Sequence, residues 1–257
     1  MEADSRLQRI LERVELVGGI GAPKFGRMCV MSLAAHLAGE PHTDCPASVS
    51  PVIRGFAVPI NDQMPGPVRQ RLKPFAPRLI GTDDGLDAVR TDLLRAALAE
   101  RLVPRAAARH GTPPDARRPA GAPVHARSWL AGGDLRWRIG RLLEQIRAES
   151  DLRPGSDVHA ASLAGYLIGL CARAAPDPRE AEWYWTEGLG LLDRMCDLGA
   201  SRRPAGGGVR ADRLARLASA LPARGRGSVG LRMPAAGPLA ARFPGHPVGL
   251  GRAFGRS

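Results

Sequence analysis

Five residues able to do chemistry stand close together: His36, Glu40, His42, Asp44 and Cys45. Imidazole and carboxylate groups are common ligands of zinc and other divalent ions. His36 and Glu40 are four apart, so the end of one helix could project both from the same face. His42 and Asp44 follow in the loop, and together the four form a candidate metal set. Their spacing, H-x3-E-x-H-x-D-C, departs from helical metal signatures such as H-E-x-x-H. A second reading needs no cofactor: Asp44 bonds loop amides, Glu40 meets an arginine, and the cluster is a hydrogen-bonded loop. A third pairs Cys45 as nucleophile with His42 as base.

Other polar groups could converge on this loop. Arg54 lies just after it and could answer Glu40 or Asp44, while Asn61, Asp62 and the pair Asp83-Asp84 also fit helix ends and turns. Arg54, Asn61 and Asp62 are therefore candidates for a binding loop. The glycine-rich run GGIGAPKFG at 18–26 contains Lys24, but a phosphate cradle needs a preceding strand and a Ser or Thr after the lysine. A helix precedes and Phe25 follows, so the run reads as a helix–helix turn. Trp183 and Trp185, two apart on a helix, cannot share a face, so one should be partly exposed. Cys29, Cys45, Cys171 and Cys196 contain no CxxC pair and read as reduced thiols, three of them among apolar helical neighbours.

The elements that must hold these groups are helices. Apolar residues recur at helical spacing over 6–17, 24–38, 52–64, 67–80, 86–103, 134–150, 157–175 and 178–198. Asp177 is set to cap the last, with Pro178 in its first turn and Glu180 three residues after the cap. Gly165 and Gly169 predict close approach by another helix. Alternating apolar runs and hairpin dipeptides are missing. The expected fold is all-α, an irregular bundle of about eight helices. It divides into an N-terminal helical region (1–103), a Pro/Arg/Ala-rich linker or mobile loop (104–128), a C-terminal helical region (129–200) and a tail (201–257).

Charge is concentrated in that tail. The chain has 257 residues and a net charge of +12, yet residues 201–257 hold 11 arginines and a single acid, Asp212. The rest is close to neutral. Glycine and proline supply 17 of the tail's 57 residues, a low-complexity composition that argues for disorder outside the helical spacing of Val209–Leu221. An Arg-rich arm could also bind nucleic acid, although stacking aromatics are nearly missing.

The run from Met28 to Gly85 resembles a group of uncharacterised, mostly helical proteins of high-GC bacteria. The resemblance rests on GEPHTDCPASVSPVI (39–53), Asn61-Asp62 and RQRLKPFAPRLIGTDDG (69–85), covering about residues 5–103 and, more faintly, the helices at 134–198. It implies a helical fold and assigns no activity or site residue. The leading expectation is a cytoplasmic, non-catalytic binding or accessory protein that meets a protein partner or small ligand through helix faces and the 39–54 loop. The alternatives are a metal-dependent hydrolase-like enzyme using the 36–45 cluster, and a nucleic-acid binder acting through the tail. An apolar run long enough for a membrane span and a secretory leader are both missing from the pattern.

Overall fold

The computed structural model describes residues 2–110, 135–150, 157–203 and 208–221. Helix α1 (Glu2–Arg13) leads into three short strands, β1 (Glu15–Leu16), β2 (Gly21–Ala22) and β3 (Arg27–Met28). β3 lies between the others, parallel to β1 and antiparallel to β2. The glycine-rich run is thus a small sheet rather than a helix–helix turn; strands of two residues are too short to show alternation. Helix α2 (Val30–Ala38) follows, started by Cys29, whose sulfur accepts from the Ser32 amide at 3.3 Å.

Helix α3 (Pro51–Gln63) begins with Ser50, whose hydroxyl accepts from Ile53 N at 3.2 Å, and Pro51 occupies the first turn. It runs on through Pro59. Two short helices, α4 (Gly66–Arg69) and α5 (Phe75–Leu79), replace one long helix because Pro74 and Pro77 interrupt the pattern. Helix α6 (Asp87–Ala97) passes through a π-turn at Leu98–Leu102 into α7 (Val103–His110), so helix continues past the expected boundary at 103. The remaining expected linker lies outside the described residues.

Helices α8 (Leu135–Ser150), α9 (Asp157–Ala174) and α10 (Pro178–Asp197) complete the main body. Asp177 caps α10 as its sequence predicts, accepting from Glu180 N at 2.9 Å. The N- and C-terminal helices share one apolar core, with α3 packed most extensively against α9. Gly165 is what lets them meet: a Cβ there would run into the carbonyl oxygen of Phe56. Gly169 gives the same clearance to Gln63. The fold is mainly helical, with eleven α-helices among the described residues.

The eleventh, α11 (Ala211–Ala220), falls within Val209–Leu221, the one stretch of the tail with helical spacing. Leu214, Leu217 and Leu221 are buried at helical spacing, which offsets the ordering cost that the flanking composition cannot meet. Residues 222–257 lie outside the description, and with them most of the tail's arginines.

Arginines tie the helices together. Arg90 is completely buried, grips both oxygens of Asp84 at 2.7 and 2.8 Å, and donates to the carbonyls of Thr82, Met195 and Leu198. Two of those carbonyls lie at the end of α10, where helical partners run out. A second clasp joins the π-turn and α7 to α10. Arg101 meets Glu187 at 2.6 Å, while Arg105 holds Glu180 with both nitrogens at 2.9 and 2.5 Å. Both glutamates are buried.

Candidate functional site

The 39–50 loop starts where Gly39 closes α2 in the left-handed region (φ 84°), its amide bonded to the Ala35 and His36 carbonyls. Glu40 then folds back over the loop. Its two oxygens accept from Ala47 N at 2.6 Å and Ser48 N at 3.0 Å. Partial burial would raise the Glu40 carboxyl, but the hydrogen bonds from Ser48 and Ala47 outweigh it and hold the group below the ordinary glutamate range. Thr43 Oγ1 accepts from Cys45 N at 3.0 Å.

The far end is fastened to the 81–87 turn. Ser48 O accepts from Gly81 N and Asp83 N, Ser50 N donates to Thr82 Oγ1 at 3.0 Å, and the Ser50 hydroxyl donates to Asp87 at 2.5 Å. Asp84 of the same turn is held by Arg90, so the loop is anchored through it to the buried node. Hydrogen bonds within and around the loop therefore fix its shape.

Three of the four candidate metal ligands have separate partners, while Asp44 lines a crevice with Asn61 and Asp62. His36 is half-buried with Nε2 3.3 Å from Arg213 O of α11; burial, more than the neighbouring arginines, pushes its pKa down. Glu40 holds loop amides. His42 is exposed, with Nε2 3.4 Å from Gly21 O of β2. Asp44 lies elsewhere again. Among the described residues no three His, Cys, Asp or Glu side chains gather so as to hold a metal ion. The divalent-metal reading thus has no assembled ligand set behind it.

Part of the expected convergence is present. Asp44, Asn61 and Asp62 line one crevice with Gly19 and Cys29. Its volume of about 10 Å³ suits a single water molecule. Asn61 is buried: its oxygen accepts from Val30 N at 3.2 Å, and its amide donates to Val17 O and Asp62 Oδ1. Asp62 also accepts from Gly19 N at 2.8 Å. These two residues fasten the small sheet to the start of α2. Arg54 pairs with neither Glu40 nor Asp44, since Glu40 is filled by backbone amides.

The loop exposes Pro41, His42, Asp44, Cys45 and Ala47. His42 brings it against the β2 segment, which carries two exposed apolar side chains, Ile20 (39%) and Phe25 (63%). Lys24 lies over the Phe25 ring at 4.9 Å. Cys29, Cys171 and Cys196 are buried, and burial drives the last two thiols up to about 12. Cys45 alone among the four is exposed.

Two open hollows lie elsewhere. One, of about 560 Å³, runs between α1 and the Gln70–Pro74 turn; the other, of about 620 Å³, sits beside Trp183. Trp183 carries the Arg105 guanidinium 4.0 Å from its ring centre, while Trp185 is buried, as their spacing requires. No described helix is long and apolar enough to cross a membrane. Compared with known protein families, curated proteins and solved structures, the chain matches none.

Proposed function

We propose that the protein is a non-catalytic binding or accessory module, acting in the cytoplasm, whose recognition surface combines the 39–50 loop with the Gly18–Phe25 segment. One observation carries the reading: a loop fixed by its own hydrogen bonds displays polar side chains beside the exposed Ile20 and Phe25. A preordered loop loses little conformational entropy on association. An exposed aromatic beside adaptable polar groups is a recurrent anchor in protein interfaces. The partner class that fits is a protein surface with an apolar recess for Phe25.

Cys45 supplies the test. A photo-crosslinker attached to this thiol should capture a partner in cell extract, and the purified partner should then bind the unlabelled protein. Phe25→Ala should weaken that binding at least about tenfold, as hot-spot truncations do. Undiminished binding by Phe25→Ala and His42→Ala would remove the surface from the account. Turnover by the purified protein, lost in His42→Ala, would favour the enzyme reading.

A further inference from the structure

The geometry points to a second interaction surface: a groove that receives an amphipathic helix and is filled in this chain by α11. We infer that α11 is a tethered plug, and that the matching partner is a helix carrying leucines at positions i, i+3 and i+7. The groove is formed by α1, α2 and the 3-10 turn Pro23–Phe25, the elements against which α11 packs.

It reads a helix along its whole length. Leu214, Leu217 and Leu221 enter it and are at most 9% exposed. At the incoming end, Leu37 O accepts from Arg210 N at 2.9 Å, and Arg213 donates to Gly39 O at 3.0 Å. At the outgoing end, Arg13 Nη2 donates to Leu221 O at 2.7 Å, closing a carbonyl left without a helical partner. Gly26, with φ 66°, makes room for Leu221 where any side chain would collide with it. Apolar anchors at helical spacing are the feature of helix-in-groove recognition.

The occupant is built to leave. A helix of 10 residues is marginal on its own, so α11 is helical because the groove makes it so. The chain before it is pinned at Arg203, which donates to the carbonyls of Arg78, Cys196 and Leu198. Between that anchor and Gly208 the sequence is only Pro-Ala-Gly-Gly. Release of α11 therefore leaves the Arg203 anchor and the α3–α9–α10 core in place. A competing helix must overcome the high effective concentration of a tethered segment. This inference stands on the α11 interface and does not depend on the loop reading.

The test uses the full chain and a fluorescent peptide with the sequence of residues 209–221, VRADRLARLASAL. Leu217→Asp should unseat α11 and open the groove, so the peptide should bind this variant at least about tenfold more tightly than wild type. Wild-type affinity is reduced by the small fraction of time its groove is empty. Leu214→Ala, a milder change that leaves the groove itself intact, should shift affinity the same way by a smaller factor. Equal peptide affinity for wild type and Leu214→Ala, or no binding to a Leu217→Asp chain that still unfolds cooperatively, would overturn the inference. Self-association of Leu217→Asp with no peptide binding would overturn it too, since the opened groove would then prefer a different occupant.

Discussion

Two polar regions, the 39–50 loop and the Arg90 node, show how differently charged side chains can be used within one small fold. In the loop, Glu40 accepts from two amides seven and eight residues ahead and shapes a surface segment. At the node, Arg90 is fully buried and binds two carboxylates, Asp84 and more loosely Asp87, and three carbonyls drawn from a turn and the end of α10. The loop residues have the richer chemistry on paper. The node carries the greater structural consequence, because a buried charge without its partner has no water to turn to.

Arg90→Ala should be the most damaging substitution, costing about 3–5 kcal/mol by taking the buried fork from Asp84 and one donor from each of the two carbonyls at the end of α10. Denaturant unfolding would measure it, and a loss below about 1 kcal/mol would erase the contrast between node and loop. Glu180→Gln comes next. It cuts the clasp to Arg105 and Arg109 around a carboxylate only 6% exposed, and should cost about 1–3 kcal/mol.

Acid should reach both regions, since Glu40 of the loop and Asp84 of the node are each held below the ordinary carboxylate range. Burial would raise the Asp84 carboxyl, but the Arg90 fork outweighs it and holds the group below the ordinary aspartate value. A depressed carboxylate stabilises the fold above its unfolded pKa, near 4. That contribution declines as pH falls through the lower, folded value. Asp84→Asn should therefore flatten the acid limb of a stability-against-pH curve; a limb as steep as wild type would place the acid sensitivity elsewhere. Smaller again is the expected effect of Arg71→Ala, which breaks an exposed pair with Glu182. It should fall within about 1 kcal/mol of wild type.

Helix positions were legible because apolar spacing and Asp177-Pro178 report on local physics. The α3–α9 contact was half legible: Gly165 and Gly169 announce close approach without naming the partner. Arg90 also left a trace, standing between Leu86 and Leu94 on the stripe that should be apolar, at a spacing of four from each. A charge there can be buried only when distant groups answer it, and Met195 and Leu198 are distant in sequence. The small sheet left no trace. The loop cluster was visible as residue types, but whether Glu40 turns to a metal or to Ala47 depends on where the backbone places those amides.

The most direct measurement is amide hydrogen exchange at Ala47 and Ser48 in the presence of EDTA, for wild type and Glu40→Gln. A loop shaped by its own hydrogen bonds requires both amides to be protected in wild type without metal, and to exchange faster in the variant while α9 and α10 are unchanged. Protection that vanishes with EDTA, or that Glu40→Gln leaves intact, would contradict the account.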